Sequence, residues 1–209
     1  MMNERRVNYD DLQGKLQTGD LLFCHGIFPE ALQIEAIERS PWSHVGMVVK
    51  LPGVEELLLW ESTTMQTLPD VELKRLKKAG PMLVSLRERI ATDVSGGHDA
   101  LFAFRLLEAQ RSDGLTVKLK QFIEEVHQAS FPSMERMALE YLEGKLHIQA
   151  GGSSLFCSEL VAETYMHLGI MDRSHPSNSY QPADFSNRTD LPLCSGCKLS
   201  DELLLLTDV

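Results

Sequence analysis

The stretch from His44 to Glu61 constrains the fold most, because two β-rich runs, residues 44–50 and 55–61, flank Pro52-Gly53. Proline presets φ at the first turn position and glycine accepts a positive φ at the second, so the pair reads as the turn of a hairpin. Period-2 alternation sets His44, Gly46 and Val48 on one face of the first strand and Val45, Met47 and Val49 on the other. Symmetric closure about the turn pairs Lys50 with Glu55 and puts His44 directly opposite Glu61. Their Cβ atoms would then be ~5 Å apart, close enough for the carboxylate to orient the imidazole. A histidine at the head of such a strand can also face a helix packed on the sheet; a purely structural histidine fits the same pattern.

Gly19-Asp20 feeds a short buried strand at residues 21–23, and residues 31–39 have the spacing of a short amphipathic helix. Residues 68–78 read as a helix whose solvated face carries Lys74, Arg75, Lys77 and Lys78. Residues 81–86 and 100–107 read as strands on either side of a Gly96-Gly97 loop. Helices are expected at residues 116–129, from Pro132 to about 142, and at 155–168, the last closed by Gly169. Residues 171–197 read as ordered loop and residues 203–206 as a final buried strand. The pattern is α+β, and 209 residues suit a single domain over 1–209.

Cys157 falls in the first turn of the helix expected at 155–168, after the breaker and capping run 151–154. Unpaired N–H groups and the positive end of the helix dipole favour a thiolate there, and can supply part of an oxyanion hole. A small buried hydrophobe would occupy the same position. The four cysteines are expected to be free thiols. Cys194 and Cys197 form a CxxC, half of a zinc site or a redox pair; no second CxxC exists, and four ligands would need His98 or His175. Trp42 and Trp60 are expected in the core. No metal or organic cofactor is expected.

Acidic residues number 30 against 20 basic, and the net charge of -10 opposes binding to a phosphate backbone, so no nucleic-acid partner is expected. The N-terminus lacks the apolar run of a signal peptide, and no apolar stretch approaches the ~20 residues needed to span a bilayer. A soluble, cytoplasmic protein with no transmembrane segment is expected.

Together, Gly19-Asp20-Leu21-Leu22-Phe23, Trp42-Ser43-His44-Val45-Gly46-Met47-Val48, Trp60-Glu61-Ser62 and Phe156-Cys157-Ser158-Glu159-Leu160-Val161 resemble the circularly permuted branch of the NlpC-type papain-like cysteine peptidases. As in that branch, the histidine strand precedes the cysteine helix, and Gln181-Pro182-Ala183-Asp184-Phe185 resembles a motif found after it. The resemblance spans residues 19 to about 185. It implies a small antiparallel sheet against which the cysteine helix packs, with Cys157 as nucleophile, His44 as base and Glu61 as the polar third member. Residues 108–150 match no motif of the branch and read as a helical insertion. The implied activity is cysteine-dependent cleavage of an amide in a small peptide, a cell-wall-derived fragment or an N-acyl amino acid. A lipid acyltransferase or thioesterase would use the same residues on an acyl-lipid, and would show an apolar cleft drawn from Phe122, Phe131, Met134 and Met137. A non-catalytic binding protein is the third reading.

Overall fold

The computed structural model describes residues 5–76 and 79–206. In chain order its elements are β1 (Arg5–Asn8), α1 (Tyr9–Gln13), β2 (Leu21–Gly26), α2 (Pro29–Glu38), β3 (His44–Val49), β4 (Leu58–Thr63), β5 (Pro69–Asp70), β6 (Arg75–Leu76), β7 (Gly80–Ser85), α3 (Leu86–Gly96), β8 (Asp99–Arg105), β9 (Leu107–Glu108), α4 (Asp113–Val126), α5 (Met134–Lys145), α6 (Cys157–Leu168), β10 (Lys198–Leu199) and β11 (Leu203–Leu206). The stretch expected as ordered loop contains two short 3-10 turns, Ser177–Ser179 and Pro182–Phe185.

Seven strands form one sheet in the order β1-β11-β8-β2-β3-β4-β7. Neighbours run antiparallel except β1 and β11, which are parallel and bring the two ends of the described chain side by side. The fold is therefore mixed α+β with a mostly antiparallel sheet, larger than the small one expected.

Strand alternation divides the core in two. Phe23, Val45, Met47, Trp60 and Leu83 pack with Leu160, Val161 and Tyr165 of α6 and with Leu119 and Ile123 of α4. Leu22, Val48, Leu59, Met82 and Val84 pack instead with Leu12 of α1 and with Leu86 and Ile90 of α3. Burying both faces explains why Leu58-Leu59-Trp60 is continuously apolar, and each such side chain contributes about 1.5–3 kcal/mol. Polar contacts fix the seat of α6: Trp60 Nε1–H donates to Thr164 Oγ1 at 3.2 Å and the Tyr165 hydroxyl to the Gly19 carbonyl at 2.5 Å.

The expected turn is present. Val54 N–H donates to the Leu51 carbonyl at 3.2 Å, and Gly53 has φ 82°, the left-handed value required of a type II turn. The strands above it are offset: Met47 pairs with Trp60, Val48 with Leu59 and Val49 with Leu58. Glu55 and Glu56 stay in solvent outside the ladder, which displaces the register by two residues from symmetric closure. Continuing that ladder sets Gly46, not His44, opposite Glu61. A two-residue slip is a full pleat repeat, so His44 and Glu61 still share a face, now on the diagonal.

The helix expected at 68–78 is not formed; Pro69–Asp70 pairs with Arg75–Leu76 as a hairpin. Asp70 accounts for the difference. Its buried carboxylate accepts from the N–H groups of Glu72, Leu73 and Leu83 at 3.0, 2.9 and 3.0 Å, and Lys74 turns the chain with φ 53°. Lys77 and Lys78 lie outside the described residues. Two helices, α4 and α5, stand where the 108–150 insertion was expected. Among the described residues no helix is long and apolar enough to cross a membrane.

Candidate active site

Cys157 is the first residue of α6 and only 6% exposed. The chain is pinned on both sides of it. Ser62 Oγ–H donates to the Leu155 carbonyl at 2.5 Å, Ser158 Oγ–H donates to the Tyr180 carbonyl at 2.9 Å, and Glu159 Oε2 accepts from Phe156 N–H at 3.4 Å.

His44 opens β3, and its Nε2 lies 2.8 Å from Glu61 Oε2. A carboxylate only accepts, so Nε2 carries the proton and Nδ1 is left for the Cys157 thiol, with which the ring is hydrogen-bonded. Burial disfavours the imidazolium, but the hydrogen bonds with Cys157 and Glu61 outweigh it and hold His44 well above the usual histidine range.

The other oxygen of Glu61 accepts from Arg89 Nε–H at 2.6 Å, and both side chains are almost fully buried. Arg89 also donates to Thr67 Oγ1 at 2.9 Å and lies 3.8 Å from Asp93. Burial alone would raise the Glu61 pKa; the Arg89 and His44 charges outweigh it and bring it down to about 2. Glu61 is therefore a fixed anion between the Arg89 guanidinium and the His44 ring.

Alternation along β4 assigns the work. Trp60 and Ser62 point to α6 and its leading turn, whereas Glu61 points to the opposite face with Arg89 of α3. His44 shares that second face, since its direct partner Cys24 packs with the α3 side of the core. Cys157 heads α6, which packs on the other face of the sheet. The two residues meet because each is the first of its element, so the dyad closes around the end of the sheet. Gly46 makes the diagonal reach possible: a Cβ there would lie 2.9 Å from Leu59 Cδ1 and 3.3 Å from the Glu61 Cβ.

The structure thus brings together Cys157, His44 and Glu61, and adds Arg89, which sequence reasoning missed. A signal existed. Ser85 and Glu88 have capping-box spacing ahead of Leu86, Ile90 and Val94, and Ser85 Oγ accepts from Glu88 N–H at 3.5 Å.

A cavity of about 540 Å³ opens beside Cys157, His44 and Glu61, with Phe131, Met134 and Met137 on its wall. Phe122, the fourth residue expected of an apolar cleft, is in the core against His167, ring centres 4.9 Å apart. Trp42 and Trp60 are buried as expected. Cys194 and Cys197 form a half-buried turn, with Cys197 N–H donating to the Cys194 carbonyl at 2.9 Å. His98 lines the cavity instead, and His175 stacks on His147. Among the described residues no group of three or more His, Cys, Asp or Glu is placed to hold a metal ion.

No protein-family model matches the chain, and no curated protein matches it. Among solved structures it is similar to the metalloprotein yiiX from Escherichia coli O157:H7, described as DUF1105. That likeness has a TM-score of 0.52 at 16% identity and covers 89% of this chain and 97% of that one. At this identity it concerns the fold: the mixed α+β architecture is shared over most of both chains.

Proposed function

We propose that the chain is a cysteine-dependent hydrolase of the permuted NlpC-type, papain-like kind, cleaving an amide in a small peptide, a cell-wall-derived fragment or an N-acyl amino acid. The supporting observation is the continuous chain Cys157–His44–Glu61–Arg89 at the wall of a cavity. In this reading Cys157 gives its proton to His44 Nδ1 and the sulfur attacks the amide carbonyl carbon. The oxyanion formed faces N–H groups at the start of α6, which have no partner within the helix. Collapse breaks the C–N bond, and the imidazolium passes its proton to the departing amine nitrogen. Water, deprotonated by His44, then attacks the acyl-enzyme and frees the carboxylic acid and the thiol. Glu61 keeps the ring in one tautomer throughout. A cytoplasmic amide, such as a recycled wall fragment, would suit the proposed setting.

The apolar wall of Phe131, Met134 and Met137 favours a second reading, acyl transfer or thioester cleavage on an acyl-lipid. A panel of N-acyl amino acids, wall-peptide amides and acyl-lipids, assayed for released amine or alcohol, tests both. Turnover abolished by Cys157→Ala and by His44→Ala is expected, and the substrate class decides between them. Tight binding of a panel member without turnover would instead favour a binding protein.

A further inference from the structure

Among the described residues two guanidinium groups are buried, and they differ in one respect. Arg89 is paired with the Glu61 carboxylate. Arg105, the last residue of β8, is 9% exposed and forms no salt bridge among the described residues. Its Nε–H donates to the Ser200 carbonyl at 2.7 Å, and its Nη1–H groups donate to the Phe185 and Ser186 carbonyls at 2.6 and 2.8 Å. Carbonyls satisfy those N–H groups but leave the net charge uncancelled, and a buried charge without a counter-ion is costly. Nη2 donates to no group among the described residues. Burial pulls the Arg105 pKa below the ordinary arginine value, and the charges farther off, Glu202 foremost, do not restore it. Glu202 is engaged elsewhere: its Oε1 accepts from Trp42 Nε1–H at 3.2 Å and from Asn187 N–H at 3.0 Å.

Arg105 lines a pocket of about 270 Å³ together with Thr189, Asp190, Leu193, Lys198 and Leu199. This pocket shares no residue with the cavity beside Cys157. Its wall carries two cations, Arg105 and Lys198, against one carboxylate, Asp190, so one positive charge is left over. The Thr189 hydroxyl donates to the Ala183 carbonyl at 3.3 Å, which leaves Arg105 Nη2 and the Lys198 ammonium as the side-chain donors. A guanidinium edge matches the oxygens of a carboxylate or a phosphate. Charge balance separates the two. A carboxylate brings one negative charge and neutralises the wall, whereas a phosphate monoester brings about 1.5 to 2 and would be opposed by Asp190.

We propose that this second pocket binds a small monocarboxylate, with its carboxylate on Arg105 Nη2 and its short apolar part against Leu193 and Leu199. The site stands apart from the hydrolase reading above and does not depend on it.

Cys197 also lines the pocket and supplies the test. Iodoacetate is itself a small monocarboxylate; bound there, it presents its iodomethyl carbon to the Cys197 thiolate, which displaces iodide. Burial raises the Cys197 pKa and slows iodoacetate and neutral iodoacetamide alike, so the ratio of the two rates isolates the effect of the carboxylate. The full chain carrying Cys157→Ala is alkylated with each reagent and read by peptide mass spectrometry, with Cys194 as reference. The iodoacetate-to-iodoacetamide ratio at Cys197 should exceed that at Cys194 by about tenfold or more. Butyrate should abolish the excess saturably, and butylamine should leave it unchanged. Arg105→Gln should bring the ratio down to that of Cys194. Because Arg105 also ties three carbonyls, Lys198→Glu on an exposed residue gives a second arm that spares the core, and it should lower the ratio severalfold. Equal ratios at the two cysteines, an excess indifferent to butyrate, or an excess that survives Lys198→Glu would each overturn the proposal. Stronger competition by inorganic phosphate than by butyrate would overturn the assignment to a singly charged ligand.

Discussion

Glu61→Gln changes the site with almost no change of shape. The carboxylate lies 2.8 Å from His44 Nε2 and 2.6 Å from Arg89 Nε. At an effective dielectric of about 20, attraction between imidazolium and carboxylate at such a separation is about 6 kcal/mol; Arg89, roughly twice as far from the ring, offsets about half. The remaining ~3 kcal/mol corresponds to about a hundredfold in the population of the charged pair. The neutral amide has a further effect. Its oxygen will keep the buried Arg89, turning its NH2 toward His44; Nε2 must then accept, the ring proton moves to Nδ1, and Nδ1 can no longer take the thiol proton. Iodoacetamide labelling of Cys157, read by peptide mass spectrometry with Cys194 as internal reference, follows this without a known substrate. Glu61→Gln should label Cys157 about a hundredfold more slowly at neutral pH and leave Cys194 unchanged. The same substitution should remove acid sensitivity. Glu61 ionises at about 2 in the folded chain against an ordinary 4.5, so its contribution of about 3 kcal/mol is complete above the ordinary value and lost as pH falls through the folded one. Wild-type labelling rates in a folded Glu61→Gln protein would refute the role assigned to the carboxylate.

Glu159, buried beside Glu140, has the opposite sign: burial and then the Glu140 charge push it from 4.5 up to about 8. Between those values the folded chain holds the extra proton, so stability falls as pH rises through the window and levels above it. Glu159→Gln, which keeps an acceptor for Phe156 N–H, should flatten this decline and raise the melting temperature at pH about 9 relative to wild type; an unchanged pH profile of melting would count against it. Gly46→Ala should cost about 1–3 kcal/mol, because the added Cβ presses on Leu59 and on the root of Glu61. Its Cys157 labelling should slow as well, whereas a variant with wild-type stability and labelling would show that the close approach is unimportant.

Much of the site was legible because local rules carry it. The Pro52-Gly53 turn, the alternation through β3 and the helix start at Cys157 each depend on a few adjacent residues. The register of β3 on β4 was not legible, since it turns on whether Glu55 and Glu56 join the ladder or stay in water; only its parity survived. Which face His44 occupies is decided by where α6 and α3 pack, and alternation alone is silent on that. Arg89 reads as a surface charge until its helix is laid beneath β4, where Glu61, Thr67 and Asp93 compensate its burial. Residues 68–78 had helical composition, but Asp70 captures three backbone N–H groups and makes the hairpin the better-bonded solution.

Trapping of the acyl-enzyme tests the central claim most directly. The full chain is mixed with p-nitrophenyl esters of increasing acyl length, quenched in acid, and measured by intact mass and peptide mapping. One acyl group on Cys157 is expected, absent in Cys157→Ala and much reduced in His44→Ala, while Cys194 and Cys197 stay unmodified. Acylation that spares Cys157, or that proceeds equally well without His44, would contradict the account.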